Sequence, residues 1–69
     1  MTTDDGIIHI DPPSGWRFGF PKPAPDNLRE MTDDDFNRWL ISQGYPQSEI
    51  EPWISRNYKT PPCRFFIAR

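Results

Sequence analysis

The side chains with chemistry to offer are few. Catalysis by side chains needs a nucleophile or base beside a partner that tunes it, and the chain holds one histidine, His9, and one cysteine, Cys63. A Cys/His couple requires the two segments to lie side by side, which neighbouring strands would allow. Against it, His9 stands between Ile8 and Ile10, so strand alternation turns its ring away from theirs toward a surface or an edge. A free cysteine is, moreover, most often a small buried hydrophobe. Structural zinc takes about four Cys or His ligands, more than Cys63 and His9 supply. Asp33-Asp34-Asp35 resembles a metal cluster, yet consecutive helical residues point about 100° apart and do not converge on one ion. No carboxylate sits in an apolar context that would raise its pKa for acid catalysis. Gly6, Gly15, Gly19 and Gly44 are isolated and make no phosphate-cradling loop. The expectation is a protein that is not an enzyme and carries neither cofactor nor metal.

Aromatic rings and guanidinium groups are abundant instead: three Trp, five Phe and two Tyr in 69 residues, against two Leu and no Val. Trp16-Arg17-Phe18 and Arg64-Phe65-Phe66 interleave bases with rings as single-stranded nucleic-acid platforms do. The same rings are needed for a core, the net charge is −2, and the acidic run at 33–35 repels phosphate. Protein binding is the stronger expectation, because Trp, Tyr and Arg dominate interface energetics. Arg17, Tyr45, Tyr58, Arg64 and Phe66 are the candidate interface residues, standing off the faces assigned to the core. The competing expectation is that some of them close the far side of the core or a homodimer contact. Charge is lopsided as well: residues 1–35 hold eight acids against three bases, and residues 36–69 hold two against five. Such charges either attract one another within the fold or orient a charged partner.

Positioning these groups falls to one minimal domain over 7–69, since a chain this short buries roughly 60% of its unfolded surface and has no room for two cores. Residues 1–6 offer almost nothing to bury and predict a frayed start. Ile7 to Ile10 reads as a strand; Asp11-Pro12-Pro13-Ser14-Gly15 is a turn composition, and Trp16 to Phe20 alternates as a second strand, together a hairpin. Pro21-Lys22-Pro23-Ala24-Pro25 predicts a stiff polyproline II connector or an exposed docking peptide. Thr32 followed by three Asp is a helix start with a capping box to Asp35. Phe36, Trp39 and Leu40 share one face, and Gly44 ends the helix at C′. A second helical piece over 46–57 carries Ile50, Trp53 and Ile54 on one side, and Pro52 predicts a break near Glu51 or a new turn opening there. Cys63 to Arg69 closes the chain as a strand with Cys63, Phe65 and Ile67 facing one way and Arg64, Phe66 and Ala68 the other. The fold expected is α+β, in the order β-β-α-α-β. A three-stranded antiparallel sheet made of hairpin and C-terminal strand packs under two short helices around Trp16, Phe18, Phe20, Phe36, Trp39, Ile50, Trp53 and Phe65.

Asp11-Pro12-Pro13-Ser14-Gly15-Trp16, Gly19-Phe20-Pro21-Lys22-Pro23, Trp39-Leu40, Gly44-Tyr45-Pro46 and Cys63-Arg64-Phe65-Phe66 together resemble a family of small, uncharacterised proteins of tailed bacteriophages. The resemblance covers most of residues 8–67. It implies a host cytoplasm and an accessory, host-modulating role, and brings no catalytic or binding residues with it. An unpaired cysteine also points to a reducing cytoplasm, no apolar run reaches the roughly 18 residues of a membrane span, and the acidic, short Met1–Ile10 stretch does not suit a signal peptide. The function expected is binding to a host or phage protein, with inhibition of a host factor as one outcome. Single-stranded nucleic-acid binding and a minor structural place in the virion are the alternatives, and monomer and homodimer stay equally open.

Overall fold

The computed structural model describes residues 7–68; residues 1–6, where the sequence predicts a frayed start, and residue 69 lie outside the described residues. Three strands and two helices follow one another as β1 (Ile7–Asp11), β2 (Lys22–Pro23), α1 (Asp33–Ser42), α2 (Gln47–Ser55) and β3 (Arg64–Ala68), with 3-10 turns at Gly15–Phe18 and Leu28–Glu30. The α+β class and the β-β-α-α-β order are those expected. The sheet is antiparallel throughout in the order β2-β1-β3. Ile10, Phe20, Phe36, Leu40, Tyr45 and Ile50 form the buried core.

The second strand is not where the alternation of Trp16, Phe18 and Phe20 predicts it. Residues 15–18 wind into a 3-10 turn, and the strand is Lys22–Pro23 in the proline stretch. The cause is the tight turn before it. Gly15 N–H donates to the Pro12 carbonyl at 2.8 Å, and a Cβ on Gly15 would lie 2.8 Å from Pro12 Cδ and 2.9 Å from Phe20 Cβ. Only glycine permits that approach. Ser14 at φ 60° and Gly19 at φ +90° break the extended run on both sides. Phe18 and Phe20 therefore turn inward while Trp16, expected in the core, is 77% exposed. Extended proline backbone then suits the sheet. Pro23 pairs with His9, and Ala24 N–H bonds to the Ile8 carbonyl at 2.8 Å. His9–Pro23 is thus the non-hydrogen-bonded pair, where the missing N–H costs nothing.

Helix α1 starts as its sequence dictates. Thr32 Oγ1 accepts from Asp35 N–H at 3.1 Å, and Asp35 Oδ2 accepts from Thr32 N–H at 3.2 Å, closing the capping box. At its other end Gly44, at φ +103°, donates to the Ile41 carbonyl and Tyr45 N–H donates to the Leu40 carbonyl at 3.0 Å. This pair of bonds is a Schellman motif. Helix α2 repeats it with Asn57 at φ 71°, Asn57 N–H to the Ile54 carbonyl and Tyr58 N–H to the Trp53 carbonyl, both at 3.0 Å. Pro52 neither breaks α2 nor opens a new turn: the helix runs through it. Pro52 and Ser48 both face solvent, so water can satisfy the Ser48 carbonyl that proline leaves without a donor.

Candidate functional site

Of the five residues singled out for an interface, four reach the surface and one does not. Arg17, Arg64, Tyr58 and Phe66 are exposed, the last two by 46% and 39%. Tyr45 is fully buried, and the expectation that it lies on a surface is corrected. The Schellman motif sets Tyr45 two residues past the C-cap, where a side chain meets the one at C3, here the equally buried Leu40. Phe18 and Phe20 meet its ring edge-on, at centroid distances of 5.6 and 5.8 Å, and its hydroxyl donates to the Pro13 carbonyl at 2.9 Å. Burial, then Glu49 and Cys63, push its pKa up to about 12, so it stays a neutral hydrogen-bond donor. The four exposed residues do not form one cluster by element: Arg17 lies on the first 3-10 turn with its guanidinium over the Phe18 ring at 5.7 Å, Tyr58 follows α2, and Arg64 and Phe66 belong to β3.

The Cys63–His9 couple gains no support from the electrostatics. Burial, then Asp11, push the Cys63 thiol up to about 12, the opposite of what a nucleophile requires. His9 Nδ1 donates to the Ile7 carbonyl at 2.9 Å, and its ring stacks on Phe66 with centroids 5.8 Å apart. Among the described residues no three His, Cys, Asp or Glu side chains converge as a metal site. Asp35 is engaged in the capping box and lies 3.5 Å from Arg38.

Five of the nine exposed large hydrophobic residues among those described, Ile7, Ile8, Phe65, Phe66 and Ile67, gather on the β1–β3 ribbon. Ile8 stands opposite Ile67, and Ile10 opposite Phe65, on the face that meets the core; His9 opposite Phe66, and Asp11 opposite Arg64, stand on the other. The core reaches only part of that inner face. Ile10 is buried and Phe65 touches Phe36 with centroids 6.2 Å apart, but Ile7, Ile8, Phe65, Phe66 and Ile67 are 39 to 61% exposed. Both sides of the ribbon end are thus apolar and wet, an unusual concentration for a small domain.

Backbone geometry adds a second property. Because Ile8 bonds toward β2, alternation turns Ile7, His9 and Asp11 toward β3 and makes His9–Phe66 a hydrogen-bonded pair. Arg64 and Phe66 therefore spend their N–H and C=O groups on β1, and Phe65 and Ile67 present theirs outward. Strand β3 is one of the two outer strands of the sheet among the described residues. Its free edge and its three exposed apolar side chains coincide.

A recess runs between α1 and α2, with Ile41, Ile54 and Tyr58 exposed along it. Asn37 Nδ2 donates to the Lys59 carbonyl at 3.0 Å there, and Asn37 Oδ1 is buried without a partner. It is open and lined by charges of both signs, Asp33, Asp34 and Glu51 against Arg38 and Lys59. Sequence reasoning missed the ribbon edge. Strand alternation alone places Phe65 in the core and gives Ile67 no separate role, although a C-terminal run of Phe-Phe-Ile is the available signal.

No protein-family model, curated protein or solved structure matches the chain.

Proposed function

We propose that the chain is a protein-binding module that takes an extended segment of its partner along the outer edge of β3. The observation that carries this reading is the coincidence of backbone groups at Phe65 and Ile67, unpaired among the described residues, with exposed side chains at Phe65, Phe66 and Ile67. Soluble proteins blunt such edges with charge, proline or a bulge. Here Arg64 alone, at the strand's start, does so among the described residues. In strand addition, main-chain hydrogen bonds supply affinity and alternate side chains supply specificity. Phe66 on one face and Phe65 with Ile67 on the other fit that division. The resemblance to tailed-phage proteins supports a host or phage protein as partner in the host cytoplasm, and blocking a host strand edge is a way for so small a domain to inhibit its target.

Single-stranded nucleic acid is the second reading, favoured by Phe66 stacked on His9 with Arg64 on the same face. Asp11 stands opposite Arg64, and the net charge of −2 weighs against phosphate. The test is affinity purification from infected host cells with the full chain and with an Ile67→Lys variant of unchanged circular dichroism. The expected result is a specific protein retained by the first and lost by the second. Equal retention by both removes the edge from the reading. Capture of oligonucleotide alone, falling steeply with salt, replaces it with the nucleic-acid reading.

A further inference from the structure

Resting on the reading of β3 as a docking edge, we infer that one occupant of that edge is a second copy of this chain, paired antiparallel about a twofold axis at Phe66. The strand's outward-bonding residues are Phe65 and Ile67, one on each side of Phe66. A twofold axis there lets each Phe65 exchange both backbone hydrogen bonds with Ile67 of the second copy, and makes Phe66–Phe66 the close, non-hydrogen-bonded pair. Every outward donor and acceptor of the two residues is then matched. No other twofold centre within the strand does this with apolar partners only. An axis at Phe65 sets Arg64 opposite Phe66 and Ile67 opposite Cys63, and leaves the end of the strand beyond Ile67 overhanging.

Side-chain chemistry agrees with the Phe66 register. Phe65 meets Ile67 across the axis on the core-side face, where Ile8 already stands beside Ile67, so two half-covered apolar faces become one continuous layer. On the other face the two Phe66 rings meet with His9 stacked behind each. Arg64 comes opposite Ala68, so no like charges face each other.

The area agrees too. With ring side chains of about 150 to 250 Å² each, the exposed fractions of Ile7, Ile8, Phe65, Phe66 and Ile67 leave on the order of 500 Å² of apolar surface per copy. Complete burial of that surface on both copies reaches about 1,000 Å², the lower bound of a specific interface. A dimer at that lower bound is weak enough to dissociate and offer the same edge to a foreign strand.

Sedimentation of the full chain from low-micromolar to submillimolar concentration tests the pairing, and cysteine cross-linking tests its register. The wild type is expected to show a reversible monomer–dimer equilibrium that Ile67→Lys abolishes over the same range. In a Cys63→Ala background, Phe66→Cys is expected to oxidise to a covalent dimer, since non-hydrogen-bonded pairs bring Cα atoms to about 4.5 Å. Phe65→Cys alone stays monomeric, its symmetry mate being a diagonal neighbour about 7 to 8 Å away, but it cross-links when mixed with Ile67→Cys. A wild type that sediments as a monomer throughout overturns the inference, as does Phe65→Cys coupling to itself while Phe66→Cys does not. If the wild type is monomeric and Ile67→Lys still loses its captured protein, self-pairing fails and the docking edge stands. If Ile67→Lys also keeps that protein, both fail.

Discussion

Helices α1 and α2 end in the same motif with a tyrosine at the same position, and the two tyrosines have opposite fates. Tyr45 follows Gly44 and is fully buried; Tyr58 follows Asn57 and is 46% exposed. Both make the local contact that the motif provides. Tyr45 meets Leu40, and Tyr58 meets Trp53 edge-on with centroids 5.2 Å apart. The difference lies in what covers them. The segment from Pro12 to Lys22 closes over the end of α1: Phe18 and Phe20 meet the Tyr45 ring, Pro13 takes its hydroxyl, and Lys22 Nζ donates to the Gln43 carbonyl at 2.7 Å. Among the described residues no comparable segment covers Tyr58, which stays 46% exposed. A helix end fixes where a side chain points; a neighbouring segment decides whether that direction is core or surface. The β1–β3 ribbon obeys the same rule, with Ile10 covered and Ile67, on the same face, left bare.

Truncating each tyrosine separates the two helix ends most sharply. Tyr45→Ala removes a buried ring and strands the Pro13 carbonyl, so a loss of about 3 to 5 kcal/mol is expected in urea unfolding. Tyr58→Ala forfeits one half-exposed ring contact and costs about 1 kcal/mol. Equal losses would show that cover is not what separates them.

Alkaline titration comes next. Tyr45 and Cys63 ordinarily titrate near 10.0 and 9.0, and both rise to about 12 in the fold. Above pH 9 the unfolded chain releases protons that the fold retains, so stability is fully present below that value and falls progressively toward pH 12. Urea midpoints measured across this range should be flat up to about pH 9 and then decline, with the onset delayed in Cys63→Ala. A midpoint independent of pH up to 12 would contradict the burial of both groups.

Smaller effects belong to the α1 start and the ribbon. Thr32→Ala opens the capping box and costs about 1 kcal/mol. Ile67→Lys, at a position 61% exposed, should move the thermal midpoint of a dilute sample by an amount equivalent to no more than about 0.5 kcal/mol.

What was legible in the sequence is what local chemistry settles alone. Thr32 with Asp35 starts α1, Gly44 ends it, and alternation orients β3 correctly, because caps and pleats depend on a few adjacent residues. Trp16 to Phe20 alternates as well as any strand, but tight packing of Gly15 against Pro12 and the left-handed backbones at Ser14 and Gly19 wind that segment instead. Tyr45 failed for a related reason. Its inward direction follows from two hydrogen bonds to α1 that a stop signal read as Gly-Tyr-Pro does not reveal. The candidate site was half legible: Arg64 and Phe66 are on it, while Phe65 and Ile67 matter through backbone direction, which is set by the register with β1 and through it by Ala24 on Ile8.

Amide hydrogen exchange along β3 tests the claim that this edge is the working surface. The Phe66 amide, bonded to β1, should be protected at every protein concentration. The Phe65 and Ile67 amides should exchange fast in dilute protein and slow markedly when the chain is concentrated or its captured partner is added. Fast exchange at Phe65 and Ile67 under all three conditions, with protection gained elsewhere on adding the partner, would contradict it.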